Sequence, residues 1–197
     1  MDNVDNINNN CSLQACELQA LLFDGAKEFG IELSSVQVEK FFLYIELIKT
    51  WNEKFNLTSI IDDREIIIKH FIDSLSILPF ILKESGNSGI NIIDIGSGAG
   101  FPSVPLKIAL SDNDITMLDS VDKKVKFLNH CISSLSLNKL RALHGRAEDY
   151  AHNKEHREMY DVAHARAVAN LPVLLEYCLP FVKKDGMVIA MKGRNIN

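Results

Sequence analysis

Hydrophobic residues in the first part of the chain recur every three or four positions, which is the period of an amphipathic helix. Val38, Phe41 and Ile45 show this spacing clearly. The pattern predicts helices over residues 13–29, 35–55 and 63–82. We therefore expect an N-terminal helical lobe over residues 11–85, preceded by a disordered tail over residues 1–10, where asparagine and aspartate dominate.

After a short linker rich in glycine and serine at residues 85–89, the pattern changes. Short apolar runs now alternate with helical segments, as in a parallel sheet built from βαβ units. We therefore expect an α/β, Rossmann-like core over residues 90–197. Its predicted strands are residues 91–95, 115–119, 140–144, 162–165 and 187–191, with helices at 102–109, 122–135 and 171–181.

Composition narrows the class of protein. The 197 residues, 47% of them hydrophobic and 24% charged, suffice for one α/β core and a modest extra lobe. No apolar run approaches the roughly 18 residues that span a bilayer, and the start lacks the basic and apolar regions of a secretory signal. The cysteines show no metal-ligand spacing. We therefore expect a soluble, cytoplasmic protein that binds neither membrane nor metal.

The net charge limits how this chain could bind nucleic acid. It is formally −5, whereas an indiscriminate nucleic-acid binder needs clustered lysine and arginine to neutralise phosphates. Any contact with RNA is therefore expected to be a local patch.

The most informative segment is a glycine-rich turn between a predicted strand and a predicted helix, Asp94-Ile95-Gly96-Ser97-Gly98-Ala99-Gly100-Phe101-Pro102. Glycines permit positive φ and the close approach of a ligand, while the start of the following helix offers free N–H groups. A dinucleotide fingerprint needs glycine or alanine where this chain has Phe101. The turn, with Asp94 two positions before the first glycine, instead resembles the cofactor loop of class I S-adenosylmethionine-dependent methyltransferases.

Two further segments follow the next two predicted strands. Asp119 ends the second strand, where a carboxylate can accept both hydroxyls of an adenosine ribose, although such a residue is also a frequent helix cap. After the third strand, Gly145-Arg146-Ala147-Glu148-Asp149 can read an adenine edge or form an ordinary exposed turn. Because the carboxyl ends of parallel strands share one edge of a sheet, the three elements together predict a nucleoside site.

At these motifs the sequence resembles the RsmG (GidB) family of 16S ribosomal RNA guanine-N7 methyltransferases. The resemblance covers roughly residues 40 to 194, with the motifs in the same order and spacing, and it includes the glycine-rich turn. The other matching runs are Trp51-Asn52-Glu53-Lys54-Phe55-Asn56-Leu57-Thr58, His70-Phe71-Ile72-Asp73-Ser74-Leu75, Leu118-Asp119-Ser120, Arg146-Ala147-Glu148, Ala165-Arg166-Ala167 and Met191-Lys192-Gly193.

The resemblance implies S-adenosylmethionine as the cofactor and a specific guanine of 16S ribosomal RNA, in the small ribosomal subunit, as the substrate. Arg166 and Lys192, at predicted strand ends beside the site, are expected to position the substrate, although either could be an ordinary surface charge. The implied cofactor residues are Gly96, Gly98, Phe101, Asp119, Ala147, Glu148 and Arg166, with Asp119 at the ribose.

The residues expected after the fourth strand are also consistent with methylation at guanine N7. Enzymes that methylate exocyclic amines typically carry Asn/Asp-Pro-Pro-aromatic after the fourth strand, where this chain has His164-Ala165-Arg166-Ala167-Val168. Carbon-5 enzymes need a thiolate, and no cysteine lies at either expected strand end. Guanine N7 has an in-plane lone pair and loses no proton, so positioning suffices and no general base is expected. An unstacked loop guanine is the expected target, because A-form duplexes hide N7.

Two rival functions stay open at this level. A dinucleotide-binding oxidoreductase would share the glycine-rich turn but is disfavoured by Phe101, and a non-catalytic module that binds S-adenosylmethionine or another nucleoside would share the whole site. Class I methyltransferases also usually continue past the fifth strand with a helix and two strands. The chain stops at Asn197, so those closing strands are expected to be missing and residues 187–191 to form an exposed sheet edge.

Overall fold

The computed structural model describes residues 2–85 and 89–191 of the chain. Its N-terminal half is helical, as the spacing of apolar residues predicts. The helices are α1 (Asp2–Lys27), α2 (Ser35–Asn52), α3 (Asp63–Ile66), a π-helical segment (Ile67–Ile72), α4 (Asp73–Leu75) and α5 (Leu78–Ser85).

Local chemistry fixes where these helices begin and end. The Ser34 hydroxyl accepts a hydrogen bond from the Gln37 backbone N–H at 3.3 Å, and the Gln37 side chain accepts one from the Ser34 N–H at 2.8 Å. The predicted single helix over 63–82 is interrupted after Leu75, because Pro79 has no N–H to continue the hydrogen-bond ladder. In contrast, α1 begins at Asp2, within the segment predicted as a tail, since neither glycine nor proline interrupts the chain before Gly25.

The second half forms one parallel sheet of five strands in the order β3-β2-β1-β4-β5. This confirms the predicted α/β fold. The strands are β1 (Asn91–Ile95), β2 (Asp114–Asp119), β3 (Leu140–His144), β4 (Tyr160–Arg166) and β5 (Val182–Met191). The helices between them are α6 (Ser103–Ala109), α7 (Asp122–Ser134), α8 (Ala147–Ala151) and α9 (Leu171–Cys178), followed by a 3₁₀ turn (Leu179–Phe181).

Two elements differ from the prediction. The short helix α8 follows β3, where the sequence suggests a turn. Strand β5 begins at Val182 rather than Met187, because a register shift between Tyr160 and Val162 accommodates the polar residues 183–186 as a bulge. Within the described part of the chain, β5 pairs only with β4.

The sheet separates two hydrophobic clusters, since successive strand residues point to opposite faces. In β1, Ile92 packs into the cluster that contains the helical lobe with α6 and α7, whereas Ile93 packs into the cluster that contains α9. The helical lobe therefore shares a core with one face of the sheet, and it reaches the edge where the strands end. Among the described residues, no helix is long and apolar enough to cross a membrane, and no cluster of three or more potential metal ligands occurs.

Candidate functional site

The glycine-rich turn follows β1 and adopts a conformation that requires glycine. Gly96, Gly98 and Gly100 have φ angles of +72°, +59° and +94°, in the left-handed region that side chains with a Cβ rarely adopt. A Cβ added at Gly96 would lie 2.7 Å from Val168 Cγ2. The Gly96 N–H donates to the Leu118 carbonyl at 2.8 Å, which fixes the start of the turn against β2.

Asp119, at the end of β2, holds the turn from the other side. Its Oδ2 accepts a hydrogen bond from the Gly98 N–H at 2.8 Å, and its Oδ1 accepts one from the Val121 N–H at 2.8 Å. The Lys124 Nζ lies 4.0 Å from Oδ2. The residue is buried, but each carboxylate oxygen keeps a lone pair for a further donor. The structure therefore brings Gly98 and Asp119 together directly.

A cleft of about 270 Å³ opens at the carboxyl ends of β1, β2 and β3. Three of the residues expected to contact a cofactor line it: Gly96, Ala147 and Glu148. Glu148 lies in α8, and its side chain is exposed. The full lining is Ile95, Gly96, Leu118, Ser120, Gly145, Arg146, Ala147, Glu148, Val168 and Tyr177. Residues from all three strand-end segments thus line one concave surface, with Leu118 and Ser120 representing the second segment and Asp119 behind them.

Phe101 and Arg166 lie outside this lining, in contact with the helical lobe. The Phe101 ring is buried and stacks on the His70 ring, with the centroids 4.3 Å apart. The Arg166 guanidinium carbon lies 4.9 Å from the Phe101 centroid, a cation–π contact. Arg166 Nη1 donates to Asp73 Oδ2 at 3.0 Å and to the Lys69 carbonyl at 3.3 Å. The end of β4 is therefore fastened to the lobe at this point.

His70 completes the contacts of Arg166. Burial, followed by the charge of Arg166, lowers the pKa of His70 from 6.5 to about 4, so the ring is neutral at pH 7. His70 Nδ1 lies 3.2 Å from Arg166 Nη2 and 3.1 Å from the Lys69 carbonyl oxygen, and Nε2 lies 3.0 Å from Thr58 Oγ1, so both ring nitrogens have polar partners. The i,i+3 spacing of His70 and Asp73 places both on one helix face and is the sequence signal for this contact.

A buried pair beneath the turn was not anticipated from the sequence. Asp94 in β1 and His164 in β4 are directly opposite in the parallel register, and neither is exposed. His164 Nδ1 lies 3.4 Å from Asp94 Oδ1, and Nε2 lies 3.4 Å from the Ser103 hydroxyl. The Asp94 carboxylate has no hydrogen-bond donor among the described residues. No local motif reveals this pair, because it depends on the strand order.

Lys192, the other residue expected to position a substrate, lies outside the described residues. The remaining predicted residues divide into two groups. The first group comprises the residues that line the cleft, Gly96, Ala147 and Glu148, together with Gly98 and Asp119, whose hydrogen bond holds the turn beside it. Phe101 and Arg166 form a separate group beside it, against the helical lobe.

Comparison with known proteins places this arrangement among methyltransferases. The model of the family described as rRNA small subunit methyltransferase G matches residues 37–197. The protein named ribosomal RNA small subunit methyltransferase G from Acetivibrio thermocellus is 50% identical over 179 residues, which cover 91% of this chain and 72% of the relative. The protein of the same name from Clostridium botulinum, strain Loch Maree, is 49% identical over 176 residues, covering 89% and 72%.

Solved structures support the fold. A methyltransferase from Geobacter sulfurreducens matches with a TM-score of 0.53 and 16% identity, covering 75% of this chain and 71% of that one. A putative S-adenosyl-L-methionine-dependent methyltransferase from Methanococcus maripaludis matches with a TM-score of 0.52 and 20% identity, covering 75% and 64%. Both share the architecture of a parallel sheet with flanking helices.

Proposed function

The chain belongs to the rRNA small subunit methyltransferase G family, and on that premise we propose that it transfers a methyl group from S-adenosylmethionine to N7 of one guanine in 16S ribosomal RNA. The observation that carries the proposal is that Gly96 of the glycine-rich turn, the two residues on either side of Asp119 and the Ala147–Glu148 segment line one cleft. A family match alone would not require that these segments meet.

The cleft has the chemistry to hold the adenosine part of S-adenosylmethionine. Its volume of about 270 Å³ is near the lower end of ligand pockets, which run from about 300 Å³ upward. Gly96 lines the cleft with its backbone, and the position that a Cβ would take there is occupied by Val168. The exposed Glu148 carboxylate can accept a hydrogen bond from an adenine amine, and Asp119, between the lining residues Leu118 and Ser120, is proposed to accept from ribose hydroxyls through its remaining lone pairs. When bound, the cofactor supplies an electrophilic methyl group on a sulfonium.

Arg166 is proposed to position the RNA. A guanidinium has five N–H donors. Three of these donors point to the Asp73 carboxylate, the Lys69 carbonyl and the His70 ring. The Nε–H and one Nη2–H take no part in those contacts. A group held this firmly at the end of β4 can present the remaining donors to a phosphate or to the target guanine without a further entropic cost. Lys192 follows β5 in the sequence and is proposed to act with it.

The chemistry of methylation at guanine N7 indicates which guanine the site can accept. Methylation at N7 removes no proton, so the chain has to align the guanine with the cofactor rather than supply a base. N7 is accessible in unstacked loops and not in the deep groove of an A-form helix. We therefore propose an unpaired guanine of the small ribosomal subunit as the target and the cytoplasm as the place of action.

The test is methylation of small-subunit RNA by the purified chain with labelled S-adenosylmethionine, followed by mass spectrometry of the nucleosides. We expect label only in 7-methylguanosine. Label in an exocyclic position would contradict the N7 assignment. Binding of S-adenosylhomocysteine without any transfer, on both free 16S RNA and intact subunits, would instead favour a non-catalytic module.

A further inference from the structure

A cluster of aromatic and basic side chains lies outside the cleft, at the end of α2, in the turn that follows it and on α7. The Trp51 ring centroid is 5.8 Å from that of Phe55 and 5.5 Å from that of His130. The Lys123 Nζ lies 5.7 Å from the Phe55 centroid. Trp51 and Phe55 are partly exposed, and His130 and Lys123 are exposed. These four residues are called the aromatic patch below.

The patch is held rigidly. Trp51 packs on the buried Phe127, with centroids 5.5 Å apart. The turn after Phe55 is fixed by the side chain of Asn52, whose Oδ1 accepts from the Leu57 N–H at 2.7 Å and whose Nδ2 donates to the Thr58 carbonyl at 3.0 Å. The Phe55 ring is therefore presented to solvent by an ordered turn, so little conformational entropy is lost when a ligand contacts it.

Residues next to the patch contact both parts of the proposed active site. Lys123 lies in the first turn of α7, and its neighbour Lys124 places Nζ 4.0 Å from the same Asp119 oxygen that accepts from Gly98. On the other side, Thr58 contacts His70, which in turn contacts Arg166. The residues that flank the aromatic patch are thus linked by contacts both to Asp119, which holds the glycine-rich turn, and to Arg166.

The charges at the patch favour an anionic partner. Lys126 is paired with Asp122 at 2.7 Å. In the described ranges, by contrast, no ion pair joins Lys123 or the exposed Lys54 to a carboxylate. Partly exposed aromatic rings beside ammonium groups that make no ion pair suit single-stranded nucleic acid, in which bases stack and phosphates contact lysine. A purely apolar partner would leave both ammonium groups desolvated.

We propose that the aromatic patch stacks an unpaired RNA base beside the methylated guanine, with the base on Phe55 and Trp51 and the adjoining phosphate at Lys123. The inference rests on the proposed function, because it identifies the surface through which that function recognises its RNA. It explains how a chain with a net charge of −5 can bind RNA, since the contact is local and combines stacking with a few charges.

Trp51 provides the readout, because it is the single tryptophan of the chain. The probe is a single-stranded oligoribonucleotide with one guanine between uridines, titrated into the full chain while tryptophan fluorescence is recorded. We expect quenching on binding. Phe55→Leu should weaken binding by at least about fivefold, the lower end of the effect of losing one base stack, whereas Phe55→Tyr should keep the wild-type affinity.

Matched variants separate stacking from general damage. Phe80→Leu removes another exposed phenylalanine, in α5, and should bind like wild type. Lys123→Gln should weaken RNA binding and reduce the salt dependence of the binding constant by about one phosphate contact. Lys154 is an exposed lysine after α8, and Lys154→Gln should change neither quantity. S-adenosylhomocysteine affinity should stay unchanged in all of them.

The proposal is overturned if Phe55→Leu binds RNA as tightly as the wild type. It is also overturned if Phe55→Leu and Phe55→Tyr lose the same amount of RNA affinity. Absence of quenching in the wild type would also overturn it. None of these outcomes depends on methyl transfer, so they are distinct from a failure of the proposed function, which would show as RNA binding without 7-methylguanosine.

Discussion

The Arg166 guanidinium donates to the Asp73 carboxylate at 3.0 Å and so joins the end of β4 to the helical lobe. The two residues are 93 positions apart in the sequence. The pair is partly exposed, with side-chain accessibilities of 17% and 49%, and such pairs contribute little to stability, about 0–1 kcal/mol. Its effect is therefore to orient Arg166 rather than to hold the fold together.

The first prediction concerns that orientation. Arg166→Ala should reduce methyl transfer to RNA while leaving the far-UV circular dichroism spectrum intact, because the change removes a proposed RNA contact and side-chain contacts with Asp73, Lys69, His70 and Phe101 but no backbone hydrogen bond of the sheet. Asp73→Asn is the matched control, since it disrupts the same ion pair but keeps the guanidinium. Turnover should fall much further in Arg166→Ala than in Asp73→Asn. Equal turnover in the two variants would assign Arg166 a purely structural role.

The second prediction tests the glycine-rich turn. Gly96→Val should abolish S-adenosylhomocysteine binding, because valine resists a φ of +72° and its Cβ would lie 2.7 Å from Val168. Gly30→Val is the control: its φ is +74°, but nothing lies within 4 Å of the added Cβ and it is remote from the cleft in sequence. Calorimetry should show normal binding for Gly30→Val. Normal binding by a folded Gly96→Val would remove the cleft from the cofactor site.

The sequence anticipates the parts of this site that depend on local chemistry. Glycines at positive φ and a carboxylate at a strand end are recognisable one segment at a time, and parallel strands bring such segments to one edge. The direction of the Phe101 side chain is not local. It is set by His70 and Tyr44 in the helical lobe, whose packing on the sheet no spacing rule predicts. The lining of the cleft could therefore be predicted better than the side chains around it.

The third prediction is a pH dependence of stability that involves His70. Its pKa is lowered from 6.5 to about 4 in the folded chain, first by burial and then by Arg166. The unfolded chain therefore binds more protons between these values, so the contribution of His70 to stability is complete above pH 6.5 and is lost as the pH falls toward 4. Lys69 and Asp73 also face the ring and act in opposite directions.

The measurement is the change in Tm between pH 7 and pH 4.5. His70→Gln has no titrating ring, so its decrease in Tm over this range should be smaller than that of the wild type. His152→Gln, at an exposed position, serves as the control and should behave like the wild type. An equal decrease in wild type and His70→Gln would show that His70 does not contribute to the acid sensitivity.

The fourth prediction concerns the buried Asp94–His164 pair, whose closest atoms are 3.4 Å apart and whose side chains are fully buried. His164→Leu leaves the Asp94 carboxylate without its neighbour in an apolar environment. Leaving a buried polar group without a polar neighbour costs about 1–3 kcal/mol, and each kcal/mol shifts the Tm of a chain of this size by about 2–4 °C. The single variant should therefore melt several degrees lower.

The double variant Asp94→Leu/His164→Leu decides between two accounts of that loss. If the cost comes from the unsatisfied buried carboxyl group, replacing both partners by apolar residues of similar volume should recover most of the Tm, because replacing both members of a buried polar pair by apolar groups of the same shape can be nearly neutral. If the two effects simply add, the residues act independently and the pair has no energetic coupling. We expect recovery, since Asp94 and His164 are opposite in the parallel register of β1 and β4 and no other described group donates to the carboxylate.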